Sequence, residues 1–184
     1  KISLYETIRK ILRKEKSEFI LLEKSFRCTN EILNFSLQFI DNVPQIKSFN
    51  RTGESPRVLT SGSYEELLSL ITQEIALCRE KELESICLIC KTAKLSDRLY
   101  GDLKQNTEIQ QVQQGNAEGL KGTFIMPAYM SKGLEFDGVI ICDANLGGHC
   151  SEDDKKLLYV ECTRALHRLS LICSTPSMDT TPSS

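Results

Sequence analysis

No stretch of the 184-residue chain approaches 18 uncharged apolar residues, which excludes a membrane-spanning helix from the reading. No secretory pattern opens the chain, so a soluble, cytoplasmic protein with no membrane partner is expected. A formal net charge of -2 leaves no global basic field, and any nucleic-acid surface must be local. Internal repeats are absent. No initiator Met precedes Lys1, which suggests a piece of a longer protein. Apolar residues, by contrast, are not scarce. At 40% hydrophobic the chain can bury a proper core, and its length suits one domain.

Eight cysteines raise the question of zinc or disulfides. Cys87 and Cys90 form a CxxC, but inside the apolar run Ile86–Cys90. On a strand, positions three apart face opposite ways, whereas a zinc knuckle needs both sulfurs on one side. Cys28, Cys78, Cys142, Cys162 and Cys173 lie in or beside apolar patterns, where Cys packs as a small hydrophobe. His149-Cys150 is a lone exposed-looking pair. Structural thiols are the better reading, with no secreted context to favour disulfides.

Four nearly continuous apolar runs, Phe19–Leu22, Ile86–Cys90, Val139–Cys142 and Leu169–Cys173, suit strands covered on both faces of a parallel sheet. Arg57–Thr60 and Thr123–Met126 are weaker strand candidates. Helical stripes lie between them: Leu33, Leu37 and Ile40; Tyr64, Leu68, Ile71, Ile75 and Cys78; Leu95, Leu99 and Leu103. Thr29 and Ser63 stand at N-cap positions, and Pro44 should end the first of these helices. Ser151 with Asp154 predicts a capping box opening a helix through Leu166. An amphipathic helix from Ser3 to about Lys14 should precede the first strand. Residues 42–56 read as a polar connection and 105–122 as a hairpin or irregular loop. The Ser-, Thr- and Pro-rich end from 174 to 184 should be disordered. Alternating strands and helices predict a single-domain, doubly wound α/β fold.

In open α/β sheets ligands bind outside the carboxyl ends of the strands. Three blocks are expected at or beside such ends: Ser25-Phe26-Arg27-Cys28-Thr29, Met130-Ser131-Lys132-Gly133-Leu134-Glu135-Phe136-Asp137, and Leu158-Tyr159-Val160-Glu161-Cys162-Thr163-Arg164-Ala165. Two arginines from separate elements suit a phosphoryl group, because the guanidinium fork matches phosphate oxygens and stays charged. Each residue also has a plainer reading. Arg164 follows Glu161 by three and can pair with it on a helix surface. Phe26 can be a core aromatic, Lys132-Gly133 an ordinary turn, and Glu135 a solvated carboxylate.

Taken together and in order, the blocks resemble motifs IV, V and VI of UvrD-type superfamily 1 helicases. They frame the chain from about residue 19 to 173. The strings Met126-Pro-Ala-Tyr-Met-Ser-Lys-Gly133 and Tyr159-Val-Glu-Cys-Thr-Arg-Ala-Leu-His167 look most like the HelD branch, which includes RNA-polymerase-recycling ATPases. The resemblance implies a RecA-like three-layer fold: a leading helix over 1–16, a C-terminal motor domain over 17–173 and a tail over 174–184.

It also implies roles for single residues. Phe26 matches an adenine-stacking aromatic, and Arg27 an arginine reaching the γ-phosphate. Glu135, beside Gly133, matches the carboxylate that binds the ribose. Arg164 matches an arginine finger, so Arg27 and Arg164 are the catalytic candidates. Tyr129, Ser131 and Lys132 belong to the loop that meets single-stranded DNA. Tyr129 stands where a His is common in the family, and Met130 where a small polar residue is common. No GxxxxGK[ST] phosphate loop is present, and no Asp-Glu pair supplies a metal carboxylate and a base. In the family those parts, and the Mg²⁺ that accompanies ATP, belong to a preceding N-terminal RecA-like domain. Only about thirty residues separate Ile86–Cys90 from motif V, leaving no room for the large accessory domain of UvrD. An ATP-driven helicase half, a HelD-like remodeller of RNA polymerase and a non-catalytic RecA-like interaction module all remain open at this point.

Overall fold

The computed structural model describes residues 24–25, 28–40, 47–48, 51–112, 121–144, 146 and 151–174. The expected strand at Phe19–Leu22, the helix before it and the pair His149-Cys150 lie outside these residues. So does the expected tail beyond Ser174.

Six strands build one sheet: β3 (Arg57–Ser61), β4 (Ser85–Cys90), β5 (Gln110–Gln111), β6 (Gly122–Pro127), β7 (Phe136–Cys142) and β8 (Ala165–Ser174). Their order is β3-β8-β7-β4-β6-β5, and every neighbouring pair runs parallel. Two shorter strands, β1 (Lys24–Ser25) and β2 (Lys47–Ser48), form a separate parallel pair. The helices are α1 (Asn30–Ser36), α2 (Tyr64–Glu80), α3 (Ala93–Leu103) and α4 (Glu152–Cys162).

Alternation along the central strands sends successive side chains to opposite faces. Cys87, Ile89, Val139 and Ile141 pack with Ile32 and Leu33 of α1 and Leu158 and Cys162 of α4. Ile86, Leu88, Cys90, Ile140 and Cys142 pack with Leu67, Ile71 and Ile75 of α2 and Leu99 and Leu103 of α3. The result is three layers, with helices on both faces of the sheet. Cys87 and Cys90 therefore part company across the sheet, as strand geometry demands. Cys28, Cys78, Cys87, Cys90, Cys142 and Cys162 are buried and free. Burial raises the thiols of Cys28, Cys78, Cys87 and Cys162, Cys78 to about 11, which suits inert packing groups.

Local chemistry sets the helix starts. Ser63 accepts from Glu66 N at 3.1 Å, Thr92 from Leu95 N at 3.2 Å, and Thr29 caps α1. Ser151 and Asp154 form the expected capping box. The helix ends depart from expectation. α1 closes at Ser36 with a 3₁₀ turn over Leu37–Phe39, before Pro44, which lies outside the described residues. α4 stops at Cys162, not Leu166. The Thr163 hydroxyl and the Arg164 Nε both donate to the Val160 carbonyl, at 2.9 and 3.0 Å. Those bonds satisfy the last turn, and Ala165 is already paired with Phe136 of β7. Within 105–122, Gln110–Gln111 adds a short parallel edge strand to β6 where a hairpin or irregular loop was expected. Buried Ile109 anchors it.

One buried ionic cluster ties the α2 layer to the sheet. Glu74 is bridged by Arg57 at 2.7 Å and Arg168 at 3.3 Å and accepts from the Ser170 hydroxyl at 2.7 Å. Arg168 also pairs with Glu54, which pairs in turn with Lys81.

Candidate functional site

The loop from β6 to β7 organises the site. These strands lie on opposite sides of β4 and run parallel, so residues 128–135 must return from the carboxyl end of β6 to the amino end of β7. Ala128 and Phe136 are buried in the α1/α4 layer, with Met130 and Leu134 packed against it. The crossing over β4 is therefore on that face. Its consequence corrects the expectation that all three blocks sit at carboxyl ends. The Tyr129–Gly133 stretch starts at the carboxyl edge of the sheet, whereas Glu135 and Arg164 stand at the amino ends of β7 and β8.

At the carboxyl edge, a 3₁₀ turn over Ala128–Met130 leaves Tyr129 66% exposed. Lys132 is exposed beside it. Ser131 is not presented with them: it is fully buried, and its hydroxyl donates to the Ala128 carbonyl at 2.8 Å. That bond closes the turn from beneath. Gly133 has φ +86°, a left-handed backbone that favours glycine, and a Cβ there would meet nothing within 4 Å. The surface over it is open.

At the amino edge, Phe136 N donates to the Arg164 carbonyl at 2.9 Å, joining the last residue before β8 to the first of β7. The Arg164 side chain is half-buried and donates from Nε to Val160 and from Nη1 to the Leu134 carbonyl at 3.1 Å. Arg164 is thereby held against the residue preceding Glu135, whose own side chain is exposed. Burial pushes the Cys28 thiol up, and the negative charge of Glu135 adds to the effect. The chain leaving Arg27 therefore passes within electrostatic reach of Glu135. Phe26 and Arg27 themselves lie outside the described residues.

The simple helix-surface pair of Glu161 with Arg164 is not what holds the guanidinium. Arg164 lies beyond the end of α4 and is turned onto backbone carbonyls. Glu161 points inward, 3% exposed, and burial pushes its carboxyl up to about 7 against the opposing charge of Lys91.

Several residues escaped the sequence reading. Asp137 Oδ2 accepts from Glu84 N, Ser85 N and the Ser85 hydroxyl at 3.1, 2.9 and 3.0 Å, locking the start of β7 to that of β4. An acid opening a buried strand is a legible signal for such a clasp. Gly138 follows because a Cβ would stand 3.1 Å from Cys78 Sγ and from Leu83 Cδ1. Arg51 comes to the same edge because Asn30 N donates to its carbonyl at 2.9 Å. Its guanidinium lies 2.9 and 3.1 Å from the two ring nitrogens of His167, whose Nε2 is 3.8 Å from Asp137. Nothing in the polar stretch around Arg51 foretells this. Among the described residues, no group of three or more His, Cys, Asp or Glu could hold a metal ion. Nor is any helix among them long and apolar enough to cross a membrane.

Residues 123–172 match the family model of the UvrD-like helicase C-terminal domain, a span that takes in the 128–135 crossing, α4 and most of β8. No curated protein matches the chain. Among solved structures, the C-terminal domain of a possible DNA helicase from Lactobacillus plantarum WCFS1 overlays with a TM-score of 0.69 at 27% identity, covering 82% of this chain and 88% of that one. S. cerevisiae Dbp5 bound to RNA and ADP BeF3 overlays with a TM-score of 0.47 at 12% identity, covering 80% of this chain and 42% of that one. The second likeness is too slight to build on. The fold is thus a RecA-like α/β domain with a parallel six-stranded sheet, of the kind found in the helicase C-terminal domain it overlays.

Proposed function

We propose that this chain is the C-terminal motor domain of an ATP-dependent superfamily 1 DNA helicase or translocase. The domain spans 17–173, with a leading helix over 1–16 and a tail over 174–184. It lends contacts to an ATP site completed by an N-terminal RecA-like domain of the same parent chain, in the cytoplasm. The observation that carries this reading is the meeting of Glu135, Arg164 and the segment after Arg27 at one edge, within or beside the matched span.

The donor set fits an adenosine nucleotide. An exposed carboxylate stands at the amino edge next to Leu134, whose carbonyl holds the Arg164 guanidinium. In this reading Glu135 accepts from the ribose hydroxyls, Phe26 stacks on the base, and Arg27 and Arg164 direct guanidinium N–H groups at phosphate oxygens. Bound ATP supplies the phosphoryl group whose transfer to water drives the motor. The phosphate loop and the Mg²⁺ ligands fall to the N-terminal domain.

At the opposite edge, Tyr129 offers a ring to a base and Lys132 a charge to a phosphate of single-stranded DNA. Buried Ser131 supports that loop rather than touching the strand. No feature of the described residues favours RNA polymerase as the main partner.

The test is turnover in the parent chain. Arg164→Ala should cut DNA-stimulated ATP hydrolysis by about 10³-fold while leaving the fold intact, because finger arginines act mainly in the transition state. Near-normal turnover in that variant sinks the reading.

A further inference from the structure

The Glu161 side chain is 3% exposed, and its carboxyl is answered by the charge of Lys91. A buried carboxyl in that state is costly once charged. It lines a cavity of about 20 Å³, large enough for one water molecule, together with Lys91, Asp143, Asp154, Leu157 and Leu158. Lys91 follows β4 at the carboxyl edge and pairs with Asp154 at 3.1 Å, in the first turn of α4. Glu161 sits in the last turn of the same helix, and its backbone carbonyl accepts from Arg164 N at 3.1 Å. The Arg164 Nε bonds Val160, the residue next to it. One turn of backbone thus holds both a buried carboxyl and the arginine assigned above to the nucleotide.

We propose that Glu161 is a positioning residue for Arg164: ionisation of its carboxyl draws Lys91 from Asp154 into the cavity and resets the last turn of α4, changing how Arg164 is presented. The catalytic consequence rests on the nucleotide reading above, whereas the coupling of Glu161 to Arg164 does not. The ionisable groups facing Glu161 are few. Lys91 comes from the end of β4, Asp143 from the end of β7 and Asp154 from α4, Cys142 lines the cavity too, and Cys162 lies within electrostatic reach of Glu161. From the α1 side the ionisable groups among the described residues are Cys28 and Glu31, and Glu31 is engaged by Gly53 N at 2.7 Å. From β8, Arg168 faces the other layer, and Cys173 and His167 lie near Asp143 and Asp137. Among the described residues, Lys91 is the cation placed to answer the charge, and its opposing effect on Glu161 agrees with that.

The experiment uses the ¹³C,¹⁵N-labelled 184-residue chain without nucleotide. The Arg164 Nε–H resonance, assigned by its loss in Arg164→Lys, is followed from about pH 5.5 to 8.5. It should titrate with a midpoint near 7, shared by the Glu161 carboxyl carbon in the wild-type protein. The titration should vanish in Glu161→Gln, and its midpoint should rise in Lys91→Met, because the opposing cation is gone. An Arg164 resonance that does not titrate, or that titrates at a midpoint different from the Glu161 carboxyl, overturns the proposal even if Glu161→Gln fails to fold. In the parent chain, Glu161→Gln should remove a limb of the ATPase pH profile near the same midpoint. If Arg164→Ala leaves turnover intact, the nucleotide reading fails while the titration still decides the coupling.

Discussion

Two glutamates are buried among the described residues, one in each helical layer, and they differ in almost everything except burial. Glu74 on α2 is 1% exposed, with both oxygens engaged by Arg57, Arg168 and Ser170. Glu161 on α4 is 3% exposed and relies on the more distant charge of Lys91. The first ties α2, β3 and β8 together. The second stands one turn from the residue that meets Glu135. Burial alone therefore says little about a carboxylate's role. Partnering separates a clasp from a group poised to change state.

The sharpest way to break this comparison is to remove the clasp. Glu74→Ala leaves Arg168 buried beside an empty site, and breaking a buried pair from one side costs about 3–5 kcal/mol. Urea unfolding of the chain should show that loss at neutral pH. A cost below about 1 kcal/mol would place Glu74 among the surface pairs instead.

Glu161→Gln should act in the opposite direction and depend on pH. The folded protein holds this carboxyl at about 7 from an ordinary 4.5, so the protonated form is the one folding favours. The associated stability is fully present below about pH 4.5, falls between there and pH 7, and is gone above it. Replacing the acid by a neutral amide should therefore stabilise the chain at pH 8 by up to about 3 kcal/mol, at about 1.4 kcal/mol per unit, and change little at pH 5. Melts of both proteins at the two values check it. Equal effects at both pH values would show that Glu161 has a partner in the folded state.

The smallest expected effect concerns binding alone. Tyr129→Ala removes a ring that is mostly in solvent, so the melt should barely move. Affinity of the parent for single-stranded DNA should weaken by about 1–3 kcal/mol, the scale of one base–aromatic stack. Titration with labelled oligonucleotide at fixed salt measures it, and unchanged affinity would take the carboxyl edge out of the proposed DNA path.

Much of this architecture was legible in the sequence because it is written locally. The continuous apolar runs Ile86–Cys90, Val139–Cys142 and Leu169–Cys173 became the central parallel strands, and Ser63, Thr29 and the Ser151–Asp154 pair became caps, since both signals depend on neighbours a few residues away. Helix ends were less legible. α4 gives way at Cys162 because Ala165 finds a partner in Phe136, twenty-nine positions earlier, and no local pattern announces that pairing. The inward face of α2 did carry a hint: Glu74 occupies the stripe of Ile71, Ile75 and Cys78, and Arg168 and Ser170 alternate along β8 on one face. A polar residue at a core position asks for a partner, but only the fold names it.

By itself the sequence determined that there would be a parallel α/β sheet with thiols as packing groups, and it singled out the blocks proposed to carry the chemistry. Periodicity and short-range capping are properties of a chain before it folds. Only the tertiary structure decided where those blocks meet. The strand order places β6 and β7 on opposite sides of β4, so eight residues must cross the sheet between them. That crossing leaves Tyr129 at one edge, carries Glu135 to the other, and sets it beside Arg164, because strand order is a long-range pairing that no window of sequence contains.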